Sequence, residues 1–205
     1  MVARPPALFW SSLATFSVLT VSVLAGWADL PDRHLLTWLS TRATPPLTRL
    51  AVAVSILGSG WAITPLALGA FLGLRRTSPP RARWLLAAVG GGLLLFLALA
   101  FLIGRPRPTL FESPVSEPTA SFPSGHALNT TVVFLALYLV TGPAHRPWRT
   151  WLAVFGVLTV VLVSASRLYL QIHYPSDVGA GIALGTAWVL ALYALWTPKA
   201  HPAPP

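Results

Sequence analysis

Six long stretches of the chain contain no Asp, Glu, Lys or Arg: residues 5–28, 50–74, 84–104, 127–144, 150–166 and 178–198. An apolar run of about 20 residues crosses the hydrocarbon of a bilayer as a helix, and the fourth and fifth runs approach the lower limit of about 17. Isolated strands are no alternative, because lipid offers no partner to unpaired backbone groups. The pattern predicts an all-α, polytopic membrane protein with six transmembrane helices at about 7–28, 50–74, 84–104, 126–144, 150–166 and 178–198. These would form one membrane-embedded domain over 1–205. Arg4 ahead of an apolar run is also compatible with a signal peptide, but no small-x-small cleavage site follows, so the segment is read as the first helix.

Composition agrees. Of the 205 residues, 55% are hydrophobic and 9% are charged, against about 25% charged in soluble domains. Such a chain cannot remain expanded and solvated, which excludes disorder. The lack of Cys excludes a disulfide-stapled module. The formal charge of +9 does not form a basic face suited to nucleic acid, because the positive residues punctuate the apolar runs.

With the N-terminus inside, the inner segments hold Arg4, Arg75, Arg76, Arg81, Arg83, Arg146, Arg149 and Lys199 and no acid. The outer segments hold Arg33, Arg42, Arg49, Arg105, Arg107 and Arg167 together with Asp29, Asp32, Glu112, Glu117 and Asp177. The positive-inside rule then predicts both termini in the cytoplasm of a multi-pass plasma-membrane protein. Residues 29–49 are read either as an interfacial amphipathic helix or as a tether with an aromatic anchor. Residues 104–123 read as an irregular loop, and the Pro-rich tail 198–205 as disordered. Trp27, Trp38, Trp61, Trp84, Trp148 and Trp151 lie near span ends and read as aromatic-belt anchors. Tyr169 and Tyr174 read as anchors or as part of a lipid entrance, His34 and His145 as loop residues. Asn129 has two readings, a helix–helix contact or a place in the site.

Three outer segments carry polar residues that belong together chemically: Gly104-Arg105-Pro106-Arg107-Pro108, Ser121-Phe122-Pro123-Ser124-Gly125-His126, and Ser166-Arg167 with His173 and Asp177 beyond it. All three fall on one side of the membrane. Arg107 and Arg167 offer planar forks of donors that match phosphate oxygens. Ser124 and Gly125 stand where the fourth helix should begin, so free backbone N–H groups favour an anion there. An Asp holding one imidazole N–H leaves the other nitrogen free as a nucleophile, a relation open to His173 and Asp177. His126 is the natural acid for a departing alkoxide.

These elements resemble the type 2 phosphatidic acid phosphatase family, relatives of the vanadium haloperoxidases. The family pattern is Lys, six residues, Arg-Pro; then Pro-Ser-Gly-His; then Ser-Arg, five residues, His, three residues, Asp. The second and third elements match in full, at Pro123-Ser124-Gly125-His126 and at Ser166-Arg167, His173 and Asp177. The first departs, because Ala100 stands at the Lys position counted back from Arg107-Pro108. The resemblance implies a helical bundle in which His173 attacks phosphorus, Asp177 orients it and His126 protonates the leaving oxygen. Arg107, Arg167, Ser124 and Gly125 would hold the phosphate, with no metal and no cofactor.

For the missing Lys three explanations stand: Arg105 supplies the charge, the substrate brings less of it, or the enzyme is slow or repurposed. The function implied is hydrolysis of a lipid phosphate or diphosphate, such as undecaprenyl diphosphate, phosphatidic acid or phosphatidylglycerol phosphate, at the outer leaflet. The alternative on the same fold is transfer of a phosphoryl or headgroup to an alcohol. A transporter would carry ionisable residues within its spans, and these six lack Asp, Glu, Lys and Arg.

Overall fold

The computed structural model describes residues 6–109, 113–115, 117–141 and 146–196. Arg4, Glu112, His145, Lys199, the Arg146 side chain and the tail 198–205 lie outside the described residues. Eight helices follow in order: α1 (Ala7–Leu24), α2 (Asp29–Ser40), α3 (Pro45–Leu57), α4 (Gly60–Thr77), α5 (Pro79–Ile103), α6 (Gly125–Val140), α7 (Arg146–Tyr169) and α8 (Pro175–Leu195). Five segments are long and apolar enough to cross a bilayer: α1, the α3–α4 pair, α5, α7 and α8; α6 is a shorter apolar helix. The six expected crossings are therefore present.

The second crossing differs from expectation. Instead of one helix over 50–74, α3 ends at Gly58, Ser59 is extended, and α4 restarts at Gly60. A side chain at position 58 would collide with Val163 of α7 and press on His126 of α6. The crossing is interrupted where it meets the start of α6, and only glycine tolerates that approach.

Helices α6 and α8 form the buried centre, with α1, α5 and α7 around them. Lipid gives no hydrophobic drive for helix association, so close packing of small residues must supply it. Gly181 and Gly185, one turn apart on α8, do this: added Cβ atoms would lie 2.6 Å from the Ser124 carbonyl oxygen and 3.0 Å from that of Leu128. The two backbones nearly touch, and the contact holds the first turn of α6 in place.

Of the two readings for 29–49, the structure has a helix. α2 buries Leu36 and Asp32 and exposes Leu30 and Trp38. Trp84 is corrected: it is only 5% exposed and stacks on Trp196 with ring centroids 5.4 Å apart, so it is a core residue. Trp27, Trp38, Trp61, Trp148 and Trp151 are exposed, as anchors must be. The Tyr169 hydroxyl accepts from the Thr44 N–H at 2.9 Å and pins the start of α3.

Candidate active site

The three polar segments meet at one end of the bundle. Gly104, at φ +60°, ends α5 in the left-handed conformation that glycine favours, and the chain turns across the mouth of the bundle. Arg105 then turns inward, 8% exposed, between α2 and α8. Its Nη1 donates to Asp177 Oδ1 at 2.5 Å and to Ser176 Oγ at 2.7 Å; its Nη2 donates to Asp32 Oδ2 at 2.9 Å. The Tyr174 ring lies 4.1 Å from the guanidinium carbon. Of the three explanations for the missing Lys, the one that uses Arg105 meets a fork already engaged by Asp177, Ser176 and Asp32, and Arg105 does not line the cavity described below. Ala100 is buried in α5.

Asp177, fully buried in the first turn of α8, is the hub of this end. Besides Arg105 it takes hydrogen bonds on Oδ2 from Ser121 Oγ at 2.5 Å and from the Tyr174 N–H at 2.9 Å. Its relation to His173 is less direct than the motif suggests. The Nδ1 atom of His173 lies 3.7 Å from Asp177 Oδ2 but 2.8 Å from the Ser121 carbonyl oxygen. A carbonyl can only accept, so Nδ1 carries the proton and Nε2 carries the lone pair. Asp177 thus holds Ser121, and Ser121 holds His173. Burial pushes the pKa of His173 below the ordinary imidazole value, with the Asp177 carboxylate opposing that shift.

The free Nε2 faces Arg107, whose Nη1 is 3.2 Å away. Arg107 is held by backbone: Nη1 donates to the Ile172 carbonyl at 2.7 Å and Nε to that of Thr119 at 2.9 Å. His173 and Arg107 share a cavity of about 210 Å³ with His126, Gly125, Asn129 and Glu117. Asn129 therefore belongs to the site. Ser124 caps α6 by accepting from the Ala127 N–H at 3.5 Å, which leaves the Gly125 backbone to face the cavity. Phe96 packs over Gly125 so closely that any side chain there would collide with it.

Arg167 stands behind this cavity, 1% exposed. Its Nη1 donates to Ser55 Oγ at 2.7 Å and its Nη2 to Glu117 Oε1, while its Nε has no hydrogen-bond partner among the described residues. Glu117 is the functional residue that sequence reasoning missed. Besides Arg167, His126 Nδ1 lies 3.8 Å from its Oε1 and Arg107 Nη2 lies 3.8 Å from its Oε2. Burial works to raise its pKa, but Arg167, His126 and Arg107 outweigh that and hold it below the usual carboxylate range. The available signal was its place as an acid between the Arg-Pro and Pro-Ser-Gly-His elements.

Chemically, the cavity offers the imidazoles of His173 and His126, the Arg107 guanidinium, the Glu117 carboxylate that pairs with Arg167 behind it, and the N-terminus of α6 at Gly125. That set suits attack on a tetrahedral anion and proton delivery to what leaves.

Comparison with known proteins gives the family and the fold. A family model described as the PAP2 superfamily matches residues 81–200. The decaprenylphosphoryl-5-phosphoribose phosphatase of Mycobacterium tuberculosis is 35% identical over 133 residues, which are 62% of this chain and 66% of that protein. The match thus falls just short of two thirds of that relative's length. The lipid A 1-phosphatase of Rhizobium johnstonii is 32% identical over 180 residues, 76% of this chain and 70% of its own. The crystal structure of a transmembrane PAP2-type phosphatidylglycerolphosphate phosphatase from Bacillus subtilis superposes with a TM-score of 0.82. That likeness is of fold, at 24% identity, covering 91% of this chain and 94% of the other.

Proposed function

Because the chain belongs to the PAP2 superfamily, we propose that it is an integral membrane phosphatase that hydrolyses a lipid phosphomonoester or diphosphate through a phosphohistidine. The observation that carries this reading is the neutral Nε2 of His173 facing Arg107 inside a cavity shared with His126.

In the first half-reaction His173 Nε2 forms a bond to phosphorus as the P–O bond to the lipid breaks. His126 delivers its proton to that departing oxygen. In the second, neutral His126 takes a proton from water, whose oxygen bonds phosphorus as the N–P bond breaks. The products are inorganic phosphate and the lipid short of one phosphate (the alcohol from a monoester, the monophosphate from a diphosphate), and His173 is restored. Arg107, Arg167 and the α6 N-terminus at Ser124 and Gly125 stabilise the equatorial oxygens. Asp177, acting through Ser121, keeps the His173 proton on Nδ1.

A lipid substrate is supported by a second cavity, about 470 Å³, between α4, α5 and α6. It is lined by Ile63, Leu85, Val89 and Leu93 and shares Gly58, Gly60 and Asn129 with the catalytic cavity. A hydrocarbon chain lying there would present its phosphate at the break in the second crossing. We place the site on the outer side of the plasma membrane, with both termini inside and residues 1–205 acting as one unit. The bilayer and its lipid phosphate are the partners. Candidate substrates are undecaprenyl diphosphate, phosphatidic acid and phosphatidylglycerol phosphate.

Phosphate release from these three lipids by protein in detergent, with excess EDTA, tests the reading. Release should persist in EDTA and vanish in His173→Ala. If no lipid yields phosphate, or if the mutant retains turnover, the assignment fails.

A further inference from the structure

Where the phosphatase reading puts the substrate's phosphate, the structure already holds an anion. The Glu117 carboxylate contacts Arg167 Nη2 and lies 3.8 Å from both Arg107 Nη2 and His126 Nδ1. The three cationic or protonatable groups come from α7, the 104–124 loop and α6, so no single local motif brings them to one point. Glu117 lines the same cavity as Gly125 and His173. Phosphate cannot pair with Arg167 and Arg107 while that carboxylate stays between them.

We propose, on the premise of the phosphatase reading, that Glu117 is a specificity-determining residue. Its carboxylate is an internal competitor that admits phosphomonoesters and diphosphates and keeps singly charged phosphodiester lipids out of the site. The reason is charge and acceptor count. To displace Glu117, a ligand must offer Arg167 and Arg107 more than one negative charge and more than two oxygens. A terminal phosphate carries about −1.5 to −2 at neutral pH and three acceptor oxygens. A phosphodiester carries one charge and two free oxygens, so the exchange brings it nothing, and it must also desolvate. The bilayer around the enzyme consists largely of such diesters, at concentrations far above any lipid monophosphate. Without an internal rival they would occupy the site by mass action. Arg167 Nε, buried and without a partner among the described residues, is a donor left over for the incoming phosphate.

The test is inhibition of phosphatidic acid hydrolysis by phosphatidylglycerol in mixed micelles of full-length protein, comparing wild type with Glu117→Gln. The wild type should be little inhibited. In Glu117→Gln the inhibition constant for phosphatidylglycerol should fall by at least about tenfold, and that for orthovanadate should fall as well. An unchanged or higher phosphatidylglycerol constant overturns the proposal. So does a loss of kcat at unchanged inhibition, which would make Glu117 a support for His126. Removing the carboxylate leaves Arg167 unpaired, so Glu117→Asp, which keeps the charge with one methylene less reach, serves as the second variant and should fall between the two. Thermal unfolding supplies a readout independent of turnover, because a ligand that binds only the folded state stabilises it. Inorganic phosphate should raise the Tm of Glu117→Gln more than that of wild type. If that occurs while neither protein hydrolyses any lipid, Glu117 competes for the anion site and the phosphatase reading fails. If phosphate shifts both proteins equally, the proposal fails and the phosphatase reading stands on its own test.

Discussion

Arg105 Nη1 and Asp177 Oδ1 lie 2.5 Å apart, both shielded from solvent and separated by 72 positions in sequence. Through Asp177 and Ser121 this pair connects the end of α5 to His173, the proposed nucleophile. On that reading Arg105 is a positioning residue. Removing one partner of a buried ion pair costs about 3–5 kcal/mol, since the other charge remains buried and uncompensated. Arg105→Ala leaves both Asp177 and Asp32 in that state. It should lower Tm substantially and reduce kcat by more than it raises KM. A variant with normal Tm and only a raised KM would return Arg105 to the phosphate.

The acid limb of activity should lie at low pH. Burial pushes the His173 pKa below its ordinary value, about 6.5, so the proposed nucleophile stays neutral as the solution is acidified. Protonation is disfavoured in the folded state, so this histidine's stabilising effect is fully present above the unfolded pKa. It diminishes as pH falls below about 6.5 towards the folded value. Asp177 opposes the shift, so Asp177→Asn should move the acid limb of kcat/KM further down while lowering the plateau. A pH–rate profile for the two proteins measures both effects. An Asp177→Asn limb displaced upward would contradict this electrostatic assignment.

Ser121 does two things at once: its hydroxyl serves Asp177 and its carbonyl serves His173. Ser121→Ala deletes only the first. Leaving a buried carboxylate short of one donor costs about 1–3 kcal/mol. The expected outcome is a drop in kcat of roughly tenfold or more, with the His173 interaction retained. Loss as complete as in His173→Ala would mean that the hydroxyl has a direct part in the chemistry.

At Gly181 a methyl group would stand 2.6 Å from the Ser124 carbonyl, whereas at Gly185 the nearest backbone oxygen is 3.0 Å away. Forcing α8 off α6 costs about 1–3 kcal/mol. Gly181→Ala should therefore lose more Tm than Gly185→Ala. It should also lose more turnover, because Ser124 caps the turn that presents Gly125 and His126. Equal effects of the two substitutions would place the sensitivity in general packing.

Much of this was legible in advance where local rules apply. Charge-free runs gave the crossings, because lipid enforces helix on any backbone that spans it. His126, His173, Asp177, Arg107 and Gly125 were legible through spacing, and all gather at one end of the bundle. The unpredicted features are set by contacts between distant segments. The break at Gly58–Ser59 lies within an apolar run, where the backbone packs against Val163 of α7 and His126 of α6. Asp32 and Glu117 entered only as charges of the outer segments, yet Asp32 is buried against Arg105 and Ser176, and Glu117 is half-buried against Arg167. Arg105 looked available for phosphate because nothing local shows that α2 brings it a carboxylate. Trp84 sits at a predicted span end, but Trp196 covers it.

Helix α6 has 16 residues, about 24 Å of rise against a hydrocarbon thickness of about 30 Å. With the inner end of α6 level with the membrane boundary, His126 in its first turn sits sunken by roughly a helical turn. On the phosphatase reading a lipid phosphate would reach it by dipping from the headgroup layer rather than by hauling its tail towards water. Catalytic rate should then track membrane thickness, with thin bilayers relieving the mismatch and thick ones burying the mouth through which hydrolytic water must come.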